Sequence, residues 1–409
     1  MEPAAAPHPR LPRNLWVVTA TSFLTDVSSE MLTNLLPLFL ANVLGVRTAV
    51  IGLIEGLAET TASLLKVFSG WFSDRLGRRK GLAVLGYGLS ALSKPFLYFA
   101  SSWGWVLGVR FADRVGKGLR TAPRDALVAD SVDGRQRGLA FGLHRAGDTA
   151  GAFFGLLIAL TVLVVTQGGT ATLERPTFQT IVLLSLIPAL LAVAVLAFGA
   201  REVARPAQQK ERLSLRLSGF DRRFLAFLGI VVLFTLGNSS DAFLILRAQD
   251  VGLSVAGVLG MMMTFNLVYT LVASPAGALS DRLGRRRLLA AGWLVYAGVY
   301  LGFARLTAGW QAWSCMAVYG IYYGLTEGAA RAFVADLVPP ERRGTAYGVY
   351  HAAVGLAAFP ASLLAGILWQ GLGSWSGFGP AAPFLFGGGV ALLAALLLAR
   401  LPMHPSKAV

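Results

Sequence analysis

The sequence predicts an all-α membrane protein of twelve transmembrane helices arranged as two pseudo-symmetric six-helix bundles. Three observations carry that expectation. Apolar stretches long enough for a bilayer, which takes about 20 residues, occur twelve times in the 409 residues. Lys and Arg are divided very unequally between alternate connections. Two motifs of the first half recur in the second at a nearly constant offset.

Composition limits the alternatives. The chain has 36 Lys+Arg against 21 Asp+Glu, a net charge of +15. Only 14% of residues are charged, against roughly 25% in a soluble domain. Hydrophobic residues reach 55%. These values exclude a soluble globular enzyme, a disordered tail and a disulfide scaffold. The basic residues are dispersed among apolar ones, which argues for a membrane and against a nucleic-acid partner. Cys315 stands alone, so neither an intramolecular disulfide nor a Cys-based zinc site is possible. The four His residues lie at 8, 144, 351 and 404, without metal-ligand spacing. Neither a metal nor a cofactor is expected. The stretch Gly116–Thr121 has Gly and Lys but not the phosphate-binding G-x4-G-K-[ST] pattern. With no nucleophile–base constellation either, an enzyme is not expected.

The expected spans are 14–43, 48–73, 80–101, 103–125, 139–166 and 177–200, then 224–250, 254–280, 288–306, 309–335, 345–370 and 381–400. The first, fourth and tenth are the least apolar. Asp26 and Glu30 interrupt the first, and no A-x-A site follows it, so it does not read as a cleaved signal peptide. Both tails and the even-numbered connections hold 23 Lys/Arg, while the odd-numbered connections hold three, Arg47, Arg175 and Arg305. Basic loops stay on the cytoplasmic side. The expectation is therefore a multi-pass protein of the cytoplasmic (inner) membrane, a monomer with both termini cytoplasmic.

Gly70-Trp71-Phe72-Ser73-Asp74-Arg75-Leu76-Gly77-Arg78-Arg79-Lys80 recurs as Gly277-Ala278-Leu279-Ser280-Asp281-Arg282-Leu283-Gly284-Arg285-Arg286-Arg287, offset by 207. Ala129-Asp130…Arg137-Gly138…Phe141-Gly142 recurs as Ala335-Asp336…Arg343-Gly344…Tyr347-Gly348, offset by 206. The expected organisation is an N-terminal bundle over 1–200, a cytoplasmic linker over 201–223 and a C-terminal bundle over 224–409. Internal repeats of this kind are a transporter signature. The loop G-x-x-x-D-R-x-G-R-R between spans 2 and 3, repeated between spans 8 and 9, resembles the signature loop of the major facilitator superfamily. The resemblance extends over the whole chain in span count, loop length and repeat. It implies gating roles for Gly70, Asp74, Arg75, Gly77, Arg78, Gly277, Asp281, Arg282, Gly284 and Arg285. Physically, Gly70 and Gly277 permit close helix approach. Asp74 and Asp281 can cap or pair at a helix end, and the Arg clusters can meet anionic lipid headgroups.

Ionisable residues inside a bilayer are costly and mark function. Setting aside Lys80, Asp250, Arg305 and Arg400 at span ends, nineteen fall within the expected spans, and spans 1, 4, 7 and 10 hold thirteen of them, while spans 6, 9 and 12 hold none. The resemblance implies that spans 1, 4, 7 and 10 line a central cavity and that 3, 6, 9 and 12 face lipid. Span 4 is the densest, with Arg110, Asp113, Arg114, Lys117, Arg120, Arg124 and Asp125 on an arc of about 140°. Asp113 and Lys117 are spaced to pair. Arg110 through Gly116 is similar to the family's span-4 motif R-x-x-Q-G-x-G, with Asp113 and Arg114 in place of Gln and Gly. Arg120, Arg124 and Asp125 are expected to lock the end of the span to the loop after span 2.

Asp26 and Glu30 are one turn apart on span 1, and carboxylates held together away from water are suited to exchanging protons. A static pair with the Arg residues of span 4 is the competing expectation. Asn238 and Asp241 lie in a Ser/Asn-rich patch of span 7 that resembles the 26–30 segment, with Arg247 further out. Glu55 and Glu59 read as a gate, a second titrating pair or a helix–helix hydrogen bond. Glu327 and Arg331 are spaced to pair with each other, and Arg145 and Asp148 have the same ambiguity. Gly147, Gly151 and Gly155 allow a close helix crossing. They resemble in part the family's antiporter motif, with Leu156 where that motif has Pro.

Together these residues point to a secondary transporter moving a small solute by alternating access. Asp26, Glu30, Asp113 and Asp241 are the candidates for proton coupling. Arg110, Arg114, Asn238, Arg247, Glu327 and Arg331 are the candidates for substrate binding. The positive balance of span 4 leans towards an organic anion or an anionic amphiphile. The alternative is a multidrug efflux proton antiporter for cationic or neutral amphiphiles.

Overall fold

The computed structural model describes residues 11–132, 136–168, 170–203, 217, 219–339 and 342–402. The first half comprises α1 (Arg13–Thr33), α2 (Thr48–Leu76), α3 (Lys80–Ser93), α4 (Trp103–Ser131), α5 (Arg137–Gln167) and α6 (Arg175–Gly199). The second comprises α7 in two pieces, α7a (Arg222–Gly237) and α7b (Ala242–Asp250), then α8 (Val255–Leu283), α9 (Arg285–Ala304), α10 (Gly309–Asp336), α11 (Arg343–Gln370) and α12 (Ala382–Arg400). Most of the expected linker lies outside the described residues.

The sequence repeat is a structural repeat. α2 and α8 are each 29 residues long and begin 207 residues apart. Within the first half α1 packs on α5 and α6, and α4 on α2 and α3. In the second, α10 packs on α8 and α9, and α12 on α7 and α9. The halves meet along α2 with α11 and α5 with α8, two interfaces that the repeat exchanges.

Among the described residues, nine helices are long and apolar enough to cross a membrane by length and composition, counting α7 as one. α1, α4 and α10 fall short, and these are the three spans the sequence marks as least apolar. Large side chains on α6 (Leu183, Ile187, Leu190, Phe198) and α12 (Leu385, Leu393, Leu396) are exposed, a surface suited to lipid. α3 continues as a 3-10 segment, Lys94–Phe99, because Pro95 has no N–H to extend the α-helical ladder. α1 breaks at Asn34, where Pro37 follows, and resumes as Leu36–Leu38 and a π-helical turn, Phe39–Val43. α7 breaks between Gly237 and Ala242. At the repeat offset Asp241 corresponds to Asn34, so the two interruptions are equivalent. The α7 patch is thus in register with 31–34, not with Asp26 to Glu30.

The halves are packed by different chemistry. The second is filled by rings: Phe234 stacks on Trp293 at 4.4 Å, and Tyr296 on Tyr300 at 4.2 Å. Close glycine crossings occur in both halves, and the first adds the buried Arg110–Glu55 ion pair. A Cβ on Gly116 of α4 would stand 2.6 Å from the Gly86 carbonyl oxygen of α3, so these helices touch along their backbones.

Candidate functional site

α1 owes its position to α5. Gly147, Gly151 and Gly155 run along the crossing at one-turn intervals. A Cβ on Gly151 would stand 3.1 Å from Cβ of Asp26, and one on Gly155 3.1 Å from Cβ of Glu30. The glycine ladder thus backs both carboxylates and lets α1 sit deep enough to present them. Glu30 accepts a hydrogen bond from Asn34 Nδ2 at 2.8 Å. Neither Asp26 nor Glu30 is ion-paired among the described residues, so the static pair with α4 is not formed.

α4 supplies the facing cations. Arg110 donates to Glu55 of α2 at 2.9 Å in a buried pair, a hydrogen bond between helices. Arg114 Nε lies 3.8 Å from its chain neighbour Asp113. The expected Asp113–Lys117 pair is absent: Asp113 turns to the adjacent guanidinium, and Lys117 lines the cavity instead. Nε of both Arg110 and Arg114 and Nη1 of Arg120 are buried without an acceptor. Arg120 stacks over Tyr87 at 4.5 Å. Arg124 is bound to Asp125 and Ser22, so it locks to its neighbour and α1, not to the loop after α2.

Lys94, one of the nineteen intramembrane charges but given no site role by the sequence, sits at the 3-10 switch of α3. It is 5% exposed. Its Nζ donates to Ser28 Oγ at 2.5 Å and Ser29 Oγ at 3.2 Å. The available signal was a lone lysine beside Pro95 in an otherwise lipid-type span.

On the opposite wall, the break in α7 frees backbone groups that tyrosines recapture. Tyr296 OH donates to the Gly237 carbonyl at 3.0 Å and lies 3.2 Å from Asn238 Oδ1. Tyr319 OH of α10 donates to Asp241 Oδ1 at 2.8 Å. In a membrane interior, irregular backbone persists only where it lines a cavity or is buried in protein. Both conditions are met here.

The walls enclose a cavity of about 480 Å³ lined by Glu30, Glu59, Arg114, Lys117, Asn238, Asp241, Asn266 and Tyr323, among others. A side pocket of about 120 Å³ adjoins it in the first half, lined by Asp26, Glu30, Lys94, Asp113, Arg114, Lys117 and Arg120 among others. Glu30, Arg110, Arg114 and Lys117 line both.

Three substrate candidates stand elsewhere. Arg247 pairs with Asp250 and donates to the carbonyls of Phe303 and Leu306. It fastens α7b to the end of α9 and does not line the cavity. Glu327 and Arg331 pair at 2.9 Å as the spacing suggests, and Glu327 also binds Arg145 of the other half at 3.1 Å. Tyr269 joins this cluster through both Arg145 and Glu327. Asp148 faces His144 at 3.9 Å, not Arg145. The cluster links the halves at the Arg-rich end of the helices. At the opposite end the halves are joined by Thr48 N to Gln370 Oε1 at 2.8 Å, Thr48 Oγ1 to the Gly366 carbonyl at 3.0 Å, and Arg47 to the Gln370 carbonyl.

The repeated loops are built around glycines. Gly77 (φ 62°) ends α2 and Gly284 (φ 86°) separates α8 from α9, conformations that side chains disfavour. Gly70 makes the expected close approach, with a Cβ placed 3.3 Å from Ala122, whereas Gly277 has open space beside it. Arg75, Arg78 and Arg282 are exposed. The side chains of Asp74 and Asp281 lie outside the described residues. The two repeated motifs meet in space: Arg79 pairs with Asp130 at 3.1 Å, and Arg285, the counterpart of Arg78, pairs with Asp336.

Known proteins share this architecture. Residues 18–256 and 225–409 match the family model described as Major Facilitator Superfamily. An uncharacterised MFS-type transporter of Methanocaldococcus jannaschii is 35% identical over 394 residues, covering 95% of this chain and 94% of its own. The multi-drug resistance efflux pump PmrA of Streptococcus pneumoniae is 24% identical over 327 residues, 77% of this chain and 78% of its own. Among solved structures, the nucleoside transporter NupG superposes with a TM-score of 0.78 at 13% identity, covering 95% of this chain and 99% of its own.

Proposed function

The chain belongs to the major facilitator superfamily, and from that premise we propose that it couples solute movement to protons and carries a small organic anion. It is a multi-pass membrane transporter, not an enzyme. One observation carries the finer reading: carboxylates of α1 and cations of α4 line one cavity system without pairing to each other. Charges that cancelled would be structural. Left apart, the acids are available to protons and the cations to an anion.

In this reading Asp26 and Glu30 exchange the proton, with Asp113 and Asp241 flanking them, and Arg114 and Lys117 receive the substrate. Arg110 is committed to Glu55 and does not hold substrate. Asn238 serves the opposite wall. Arg145, Glu327 and Arg331 form a latch between the halves, while Arg247 is structural. The six-helix units over 1–200 and 224–409, joined by a linker over 201–223, rock about the shared cavity. By the positive-inside rule, the Arg-rich end and both termini are cytoplasmic, in the inner membrane, where the Arg clusters meet anionic lipid. The protein acts as a monomer.

The test is transport into proteoliposomes under an imposed pH gradient. Asp26→Asn with Glu30→Gln abolishes proton-driven accumulation; survival of that activity refutes the coupling. One further observation favours a second reading. Asp241 stands beside aromatic Phe265 and Tyr323 on one wall, a setting that also suits a cation, and PmrA is named as a multidrug efflux pump. Competition by cationic dyes with no competition by organic anions would select drug efflux.

A further inference from the structure

We infer that the anion carries a phosphate monoester, and that its phosphoryl group docks in the side pocket of the first half while its body stands in the central cavity. This rests on the proton-coupled anion reading and sharpens it. The pocket, of about 120 Å³, has room for a compact headgroup but not for a whole solute. It shares Glu30, Thr33, Arg110, Arg114 and Lys117 with the lining of the larger cavity.

Donors converge on it from two helices. Lys94 reaches it from α3, and Arg114, Lys117 and Arg120 from α4. Lys94, Arg114 and Arg120 are 5%, 7% and 7% exposed. Arg114 Nε and Arg120 Nη1 are buried with no acceptor, an expense that a bound anion would remove. The Lys117 ammonium has neither a hydrogen bond nor an ion pair among the described residues. Four cationic side chains outnumber the two oxygens of a carboxylate and suit the three free oxygens of a phosphoryl group.

Charge gives a second, independent argument. With Arg110 neutralised by Glu55, the pocket itself is lined by four cations and three carboxylates, Asp26, Glu30 and Asp113, while Glu59 stands with Arg114 and Lys117 on the central-cavity side. The net is +1, and one proton on α1 raises it to +2. A phosphate monoester near neutral pH carries about −1.5 to −2. One dianion entering with one proton leaves the pocket close to neutral, whereas a monocarboxylate leaves it positive. The remaining cavity offers Asn238, Ser240, Asp241 and Asn266, hydrogen-bonding partners for a hydroxylated body.

The experiment is counterflow and thermal shift on the purified full chain with matched probes: glucose 6-phosphate, glycerol 3-phosphate and adenosine monophosphate. Their unphosphorylated parents, gluconate and inorganic phosphate complete the set. The inference expects at least one ester to bind at least tenfold more tightly than its parent and than gluconate. Lys94→Met then reduces the preference of ester over gluconate at least tenfold, and Lys94→Arg restores it, in variants that elute as the parent does. Gluconate equal to the best ester overturns the phosphoryl assignment and leaves the organic-anion reading standing. Inorganic phosphate equal to every ester overturns the assignment of a body to the central cavity. If no anion binds while a cationic dye does, the anion reading fails together with this inference.

Discussion

Arg110 and Glu55 offer a direct way to separate a structural charge from a working one. Their side chains are 8% and 11% exposed and joined at 2.9 Å. Arg110→Met leaves Glu55 as a buried carboxylate whose Oε1 already has no partner. Breaking a buried pair from one side costs about 3–5 kcal/mol. Arg114 and Lys117 line the same cavity and offset part of that, so the lower end, about 3 kcal/mol, is expected. Replacing both residues by Met removes two desolvated charges together and is close to neutral in stability. The assay is reversible unfolding in mixed micelles, read by Trp fluorescence, for the parent, both single variants and the double variant. A coupling energy of about 2 kcal/mol or more is expected, with transport retained in the double variant because neither residue holds substrate. A single-variant cost below about 1 kcal/mol, or a double variant that is stable and inert, would refute the reasoning and return Arg110 to the substrate site.

Three further outcomes follow from the same geometry. Gly151→Leu drives a side chain into the α1 backbone at Phe23 and shifts Asp26; transport is lost and stability falls by about 1–3 kcal/mol, measured by flux and by unfolding in mixed micelles. Tyr319→Phe deprives Asp241 of its 2.8 Å donor; a cost of about 1–3 kcal/mol should appear in unfolding, and an unchanged stability would show that the cavity hydrates Asp241 fully. Glu327→Ala removes the bridge from Arg145 and Arg331. Alkylation of a cysteine introduced at Val354, on the cavity wall, should quicken from the Arg-rich side; an unchanged rate means that the latch does not hold the halves.

Much of this arrangement is legible in the sequence because membranes punish disorder in polarity. α1, α4 and α10 could be recognised by their poor apolarity, and the repeat fixed which loops are equivalent. The pairs Arg79–Asp130 and Arg285–Asp336 join the two repeated motifs within each half. The glycine ladder of α5 was readable as a crossing, but not as the support behind Asp26 and Glu30, since nothing local names its partner. Spacing misled at Asp113, because an adjacent Arg114 competes with Lys117 one turn away. Arg247 looks like a cavity charge, but the carbonyls that hold it, Phe303 at the end of α9 and Leu306 just past it, lie 56 and 59 residues on. Lys94 was hidden by its lipid-type span, and its role depends on Ser28 and Ser29 of a helix distant in sequence. The tyrosines that cover the α7 break were hidden too, since aromatic residues are ordinary membrane filling until a backbone break needs their hydroxyls.

The central claim is that solute and proton move together through the cavity between α1 and α4. Its most direct measurement is proton flux itself, in proteoliposomes holding an internal pH dye with no gradient imposed. Addition of a transported anion should change internal pH in step with solute entry, and Asp26→Asn with Glu30→Gln should abolish the pH signal while leaving solute exchange. Solute entry with no accompanying proton movement in the parent protein would contradict the account.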